Sequence, residues 1–132
     1  MSVPVRGTAT VLICTFNRRE LLRQTLDSLA RMEAVPADWD VVVVDNNSTD
    51  GTADLLAAQA ASYPVPLRCL RESRQGKSYA LNTGIAATAS GIVAFTDDDV
   101  IVPPSWLREA VAPMLRQPGV DYTGGPVRAI WG

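Results

Sequence analysis

The sequence contains no histidine among its 132 residues. Without an imidazole, the chain has no Ser-His-Asp triad, no histidine acid or base, and no His-ligated zinc or iron site. Its two cysteines, Cys14 and Cys69, each fall in an apolar run, which indicates small core residues and not a disulfide or a metal pair. Any chemistry must therefore use carboxylates, hydroxyls, Lys or Arg, with or without a hard metal ion.

Long hydrophobic runs and an excess of one charge sign are also missing. No apolar stretch is long enough to span a bilayer, and the formal net charge of −2 offers no basic surface to nucleic acid or to an anionic membrane. The N-terminal "MSVPVRGTAT" lacks the apolar segment of a signal peptide, so we expect a cytoplasmic location. The length, without a repeat or linker, predicts a single domain over residues 1–132.

Four apolar, β-rich runs alternate with four helical patterns. The runs are "TATVLICTF" (8–16), "WDVVVVDN" (39–46), "PLRCLRE" (66–72) and "GIVAFTD" (91–97). Runs that are apolar on both faces are typical of a parallel sheet covered on both sides. The alternation predicts an α/β fold, with an open, mainly parallel, Rossmann-like sheet and helices on both faces. A last run, "VDYTGGPVRAIWG" (120–132), is interpreted as a strand that enters a Gly-Gly-Pro turn.

The helical patterns also predict where helices begin and which side chains they bury. Asn17 followed by Glu20 predicts the start of the first helix. In the third helix, Leu81 and Ile85 are four residues apart and should face the core. The expected N-cap of the second helix is Ser48, Thr49 or Asp50. The fourth helix contains Pro113, and its apolar stripe consists of Leu107, Val111, Met114 and Leu115.

Three consecutive carboxylates, Asp97, Asp98 and Asp99, follow directly on the fourth run. In an open parallel sheet, ligands bind beyond the carboxyl ends of the strands. A single Asp at this place is typical of a capping turn, but a cap requires only one. Adjacent carboxylates repel one another, and a hard divalent cation relieves that repulsion and can then hold a diphosphate. We therefore favour a Mg²⁺ or Mn²⁺ site here.

Asp45 and Asn46 end the second run, in "VVVVDNNSTDGT". The turn that follows has a structural purpose, but Asp45 comes too early in it to cap the next helix. An Asp or Asn at this place can hydrogen-bond a base or a ribose, as acids do in dinucleotide folds. The dinucleotide fingerprint G-x-G-x-x-G and the Walker A loop are both absent. The residues alone leave the structural and the base-binding interpretation open.

Arg74 and Lys77 lie in "ESRQGKSYALN", just before a predicted helix start, where amides and a cation can meet phosphate. The alternative is a pair of solvated loop charges. Phe16, next to Asn17, either stacks on a base or closes the core.

Four segments occur in an order that carries a family resemblance. They are "VLICTFNRRELLRQTLDSL", "VVVVDNNSTDGT", "LNTGIAATASGIVAFTDDDVIVPPSWL" and "YTGGPV". Together they resemble the nucleotide-binding half of a GT-A fold family 2 glycosyltransferase, from about residue 11 to residue 127. The resemblance implies a divalent cation and transfer of a sugar from a nucleotide diphosphate donor to an acceptor, usually with inversion at the anomeric carbon.

The resemblance also assigns residues. It places Asp97 near the ribose and Asp99 on the metal-binding position of the family's DxD motif, with Asp98 as the ligand if the motif is shifted by one. Asn46 stands where the family usually has an acid, although its carbonyl can still accept from an imide N–H. The expected nucleotide-sugar contacts come from Thr15, Phe16, Asn17, Asp45, Asn46, Arg74, Lys77, Asp97 and Asp98.

The general base and the acceptor site have no counterpart in this sequence. In the family they come from the region after the Gly-Gly segment, and Asp121 matches no base motif. The sequence therefore predicts a nucleotide-diphospho-sugar-binding domain that lacks the C-terminal acceptor part, with little or no activity alone. It also predicts self-association through an exposed apolar edge.

Two other classes compete with the enzyme. A non-catalytic module that binds a nucleotide or nucleotide sugar fits the missing base. A receiver-like domain would gather acids from different strand ends around a phosphorylated Asp, with a Lys opposite, whereas the three acids here are adjacent. The acceptor, whether saccharide, lipid or protein, is not specified by the residues.

Overall fold

The computed structural model describes residues 5–35, 37–116 and 128–129. Within these ranges strands and helices alternate as the sequence predicts, except that a second, short strand precedes the last helix. The elements are β1 (Val5–Thr15), α1 (Arg19–Leu29), β2 (Asp38–Asp45), α2 (Thr52–Ser62), β3 (Leu67–Arg71), α3 (Lys77–Ala87), β4 (Ser90–Phe95), β5 (Val100–Ile101), α4 (Trp106–Arg116) and β6 (Arg128–Ala129).

The main sheet has the strand order β3-β2-β1-β4, and each of its pairings is parallel. The central strand β1 pairs with β2 from Thr8 opposite Asp38 to Thr15 opposite Asp45. The predicted open parallel α/β sheet is confirmed. β5 and β6 form a separate antiparallel ladder, while residues 120–127 of the last predicted strand lie outside the described residues. Because the four main strands run in one direction, their carboxyl ends share one edge.

Alternate residues of the strands belong to two separate hydrophobic cores. On one face, strand residues such as Val11 and Val43 pack with α1, α2 and α4. On the other face, Leu12, Val42 and Val44 pack with Ala80 of α3. The central strands are therefore buried on both sides, which is the physical reason for their uninterrupted apolar sequence.

The third helix presents a different face to the sheet from the one predicted. Ile85 is 46% exposed and Leu81 is only partly buried, whereas Ala80 and Gly84 are buried. A Cβ on Gly84 would lie 2.4 Å from Leu12 Cδ1 and 3.1 Å from Val44 Cγ2. Leu81 packs against this core as predicted, but the prediction is wrong for Ile85, because α3 approaches the sheet closely through its smallest side chains.

The start of α1 also differs from the prediction. Its N-cap residue is Arg18, with no side-chain cap hydrogen bond from that position. Asn17 is not the cap; it has a φ of 50° and its Oδ1 accepts from the Thr49 N–H at 2.7 Å. Asn17 therefore joins the end of β1 to the loop after β2.

Asp50 supplies the missing acceptor to α1 from the neighbouring loop. Its Oδ2 accepts from the Arg19 N–H at 3.0 Å, and its Oδ1 accepts from the Thr52 N–H at 3.2 Å. The N-cap of α2 is Gly51, which has a φ of 89°, and not one of the three polar residues expected. One carboxylate thus serves the first turns of both helices, where negative charge is favoured.

In α4, Leu107 and Val111 are fully buried as predicted, and Pro113 lies inside the helix. The side chains of Met114 and Leu115 are outside the part of the chain that the structure describes. Within the described ranges, no helix combines the length and the apolarity needed to cross a bilayer.

Gly84→Ala should destabilise the protein by about 1–3 kcal/mol, because the new methyl group overlaps the Leu12 side chain. At an exposed helix position the same change would stabilise by about 1 kcal/mol. Free energies of unfolding from urea titration measure the effect, with Asn82→Ala on the exposed side of α3 as control. A Gly84→Ala protein as stable as the wild type would contradict the close packing of α3.

Candidate functional site

A cleft with a volume of about 360 Å³ lies at the carboxyl edge of the sheet. The end of β1, the turn after β4 and the start of α3 form its walls. Its lining residues are Cys14, Thr15, Phe16, Arg18, Asn46, Gln75, Gly76, Lys77, Ala80, Asp97, Asp98 and Asp99. The edge predicted from the parallel sheet thus holds a cavity that polar side chains line.

Most of the predicted site residues meet in this cleft. Three of them, Asn17, Asp45 and Arg74, are not among its lining residues. Phe16 is 45% exposed at the cleft, so it does not close the core. The predicted residues that line the cleft are Thr15, Phe16, Asn46, Lys77, Asp97, Asp98 and Asp99.

Asp98 is the buried member of the three aspartates, with 7% of its surface exposed. The Thr15 hydroxyl donates to its Oδ2 at 2.8 Å. Burial raises the pKa of Asp98, although the Thr15 hydrogen bond and the Arg18 charge act in the opposite direction and the Asp99 charge adds to the rise. Burial and the Asp99 charge thus disfavour the ionised form of Asp98, while Thr15 and Arg18 favour it.

The other two aspartates each face a cation. Arg18 Nη1 donates to Asp99 Oδ2 at 2.7 Å and lies 3.5 Å from Asp98 Oδ1. Lys77 Nζ lies 3.4 Å from Asp97 Oδ1, and both of these side chains are well exposed. The repulsion within the aspartate triplet is thus offset by two cations from different elements.

Asn46 organises the loop between β3 and α3. Its Nδ2 donates to the carbonyl oxygens of Glu72 at 2.9 Å and Arg74 at 2.8 Å, and its Oδ1 accepts from the Gly76 N–H at 2.9 Å. An aspartate could not donate either of the first two bonds. The loop therefore accounts for the amide at a position where the family resemblance suggests an acid.

Asp45 is buried at the end of β2, with 1% of its surface exposed. Its Oδ1 accepts from the Ser48 N–H at 2.9 Å, and its Oδ2 lies 3.7 Å from Arg71 Nη1. As expected from the sequence, Asp45 does not cap α2, since the N-cap of that helix is Gly51. It instead binds the loop amide three residues ahead, a structural role that was not expected from the sequence.

Arg74 points toward Glu72 and not into the cleft. Its Nη2 lies 3.0 Å from Glu72 Oε1, and its Cζ lies 4.6 Å from the centre of the Tyr79 ring. The Arg74 side chain, the Thr83 hydroxyl and the Arg74 N–H together lower the pKa of Glu72 to about 2. Arg74 and Glu72 thus form an ion pair within the loop that Asn46 binds.

Sequence reasoning missed Arg18 and Gln75 as residues of the cleft. The Gln75 amide makes only long hydrogen bonds, 3.4 Å to Asn46 Oδ1 and 3.3 Å from Asn47 Nδ2. For Arg18 a signal was available, because the cations of "TFNRR" end one strand and the acids of "DDD" end another strand of the same sheet.

The carboxylates of the cleft suit a cation that takes some of its ligands from the protein and the others from a bound substrate. Among the described residues, no three Asp, Glu or Cys side chains are arranged to hold a metal ion by themselves. Asp98 and Asp99 do present oxygens to a single positive group, the Arg18 guanidinium. Mg²⁺ and similar ions commonly use one or two carboxylates plus phosphate oxygens and water.

Comparison with known proteins gives a family match over nearly the whole chain. Residues 10–131 match the family model described as Glycosyl transferase family 2. Glycosyltransferase AglE from Haloferax volcanii is 30% identical over 118 residues, which cover 89% of this chain and 38% of AglE.

Two solved structures show the same fold with bound ligands. The mannosyltransferase PcManGT from Pyrobaculum calidifontis, in complex with GDP-Man and Mn²⁺, has a TM-score of 0.75 and 32% identity over 86% of this chain and 34% of its own. The glucosyl-3-phosphoglycerate synthase from Mycobacterium tuberculosis, with Mn²⁺, UDP and phosphoglyceric acid, has a TM-score of 0.71 and 27% identity over 87% of this chain and 41% of its own. The chain spans less than half the length of each of these proteins.

Asn46→Asp should lower the free energy of unfolding by about 1–3 kcal/mol, because two carbonyl oxygens lose their donor and face a carboxylate instead. Urea titration at pH 7 measures the loss. Asn47→Asp is the matched control, since the neighbouring amide donates to the more exposed Ser73 carbonyl. Equal losses in the two variants would contradict the organising role of Asn46.

Glu72→Gln should destabilise the protein at pH 7, and the difference from wild type should shrink between about pH 4.5 and pH 2. The folded pKa of Glu72, about 2, lies below the ordinary value of 4.5. The stability that its charge contributes is therefore complete above pH 4.5 and disappears as the pH falls toward 2. Urea titration from pH 7 to pH 2 tests this, and a constant difference would contradict it. In a Thr83→Val background the loss of this stability should occur at higher pH, because the folded pKa of Glu72 is no longer lowered by the Thr83 hydroxyl.

Proposed function

Because the chain belongs to glycosyl transferase family 2, we propose that its cleft binds a nucleotide diphosphate sugar together with a divalent cation. The observation that carries this proposal is the meeting of three carboxylates, a half-exposed aromatic ring and a lysine at one edge of the sheet. The complexes of the similar structures, GDP-Man with Mn²⁺ and UDP with Mn²⁺, support it.

The nucleotide is proposed to lie between Phe16 and the start of α3. The exposed ring of Phe16 can stack on a base of either type. Lys77 is the first residue of α3, so its ammonium group and the free amides of that helix end favour phosphate. Asp97, which faces Lys77, is assigned to the ribose.

The predicted residues that do not line the cleft would have an indirect role. They are Asn17, Asp45 and Arg74. Asn17 binds the loop after β2, Asp45 binds the turn in the same loop, and Arg74 supports the loop before α3. In this proposal they position the groups that touch the nucleotide.

Asp99, with Asp98 beside it, is assigned to the cation, as the DxD interpretation of "DDD" implies. A bound Mn²⁺ or Mg²⁺ ion would stabilise the negative charge that develops on the leaving diphosphate. Thr15 holds Asp98 in place through its hydroxyl, and Asp99 is the more exposed ligand. The cation would thus lie at the wall of the cleft opposite the start of α3.

The proposed reaction is transfer of the sugar with inversion. The acceptor oxygen forms a bond to the anomeric carbon as the bond from that carbon to the diphosphate oxygen breaks, and the acceptor proton passes to a base. We assign no base among the described residues. Since this chain spans 38% of AglE, the acceptor and the activity of the whole protein are part of this proposal. A cytoplasmic location and self-association stay predictions.

We expect calorimetric titration to show that UDP or GDP binds more tightly with Mn²⁺ than without it. Asp99→Asn should weaken the Mn²⁺-dependent binding by at least about tenfold, because it removes a charged ligand. Asp98→Asn should cause a smaller loss. Asp54→Asn, at an exposed position of α2, is the control and should bind like wild type.

The outcomes distinguish the competing functions. A nucleotide affinity that is the same with and without Mn²⁺, and in both aspartate variants, would contradict the metal assignment. Metal-dependent binding without turnover of any UDP- or GDP-sugar would favour the non-catalytic binding module for this chain. Transfer of the sugar from a nucleotide sugar to an added acceptor, with release of the nucleotide diphosphate and lost in Asp99→Asn, would establish the transferase.

A further inference from the structure

Arg18 lies where a cation bound by the aspartates would lie. Its Nη1 contacts Asp99 Oδ2 at 2.7 Å and approaches Asp98 Oδ1 to 3.5 Å. Its backbone is fixed, since the Arg18 carbonyl accepts from the Leu22 N–H at 2.8 Å in the first turn of α1. Half of its side-chain surface is exposed and the residue lines the cleft, so the guanidinium can turn without disturbing the core.

We propose that Arg18 is an internal counter-ion that a divalent cation displaces from Asp98 and Asp99, and that the released guanidinium then binds the diphosphate of the nucleotide. The inference rests on the proposed function, because it requires a nucleotide diphosphate and a cation in this cleft. It assigns Arg18 a binding role that couples the two ligands.

Displacement follows from the shared oxygens. A Mg²⁺ ion lies about 2.0–2.1 Å from a carboxylate oxygen, and a guanidinium on the same oxygen would then face a double positive charge at close range. The two cations cannot both be favourable there. A metal ion alone must therefore replace an existing ion pair, which weakens its binding.

A nucleotide diphosphate changes this balance. The planar guanidinium donates two parallel hydrogen bonds to a phosphate, so the released Arg18 gains a partner in the same cleft. Metal ion and nucleotide then strengthen each other's binding, and the effect must be reciprocal. Lys77 does not duplicate this role, since it faces the exposed Asp97 and not Asp98 or Asp99.

The test is the affinity for Mn²⁺, measured by electron paramagnetic resonance of the free ion, with and without saturating UDP or GDP. Arg18→Gln should bind Mn²⁺ alone about tenfold more tightly than wild type, and the gain in Mn²⁺ affinity caused by nucleotide should fall by about the same factor. Arg18→Lys, which keeps the charge without the planar fork, should bind Mn²⁺ alone like wild type but lose part of the nucleotide effect.

Arg23→Gln is the matched control, because Arg23 is also an ion-paired arginine of the first turns of α1, bound to Glu20 and Asp27 away from the cleft. It should leave both Mn²⁺ affinities unchanged. If Arg18→Gln binds Mn²⁺ alone no better than wild type, the counter-ion role is overturned while the proposed function stands. If wild type and all variants fail to bind Mn²⁺ even with UDP or GDP, the proposed function fails as well.

Discussion

The parallel pairing of β1 with both β2 and β4 is the constraint on which the cleft depends. It brings Thr15, at the end of the central strand, between Asn46 on one side and Asp98 on the other. Backbone bonds continue the pairing past the strand ends, from the Asn46 N–H to the Thr15 carbonyl at 2.9 Å and from the Thr96 N–H to the Leu12 carbonyl at 3.3 Å. The sheet therefore fixes the distance between the two walls of the cleft.

The fold and the location of the cleft were predictable because they depend on properties averaged over many residues. Runs such as "VVVV" that are apolar on both faces have few alternatives to a covered parallel sheet. Once the strands are parallel, the groups that follow them must meet at one edge. For this reason the sequence places Asp97, Asp98, Asp99 and Phe16 together without any knowledge of the loops.

The details that were not predictable depend on single partners far apart in the sequence. Whether Asn46 faces a ligand or a loop is decided by carbonyl groups 26 and 28 residues away. The orientation of α3 is decided by the space above Leu12 and Val44, which favours Gly84 over Ile85 although the larger residue is more apolar. Local pattern does not contain such information, since hydrophobicity ranks side chains and does not measure the gap between two elements.

The sharing of Asp50 by two helices has a thermodynamic consequence for the cleft. Asp50 joins the first turns of α1 and α2, while Asn17 donates its N–H to Ser48 and accepts from the Thr49 N–H. The loops after β1 and β2 are thereby cross-linked into one unit before any ligand arrives. A ligand that binds at this edge therefore orders little additional backbone, and less of the binding free energy is lost to conformational entropy. Such preorganisation favours rapid capture of a ligand over slow closure around it.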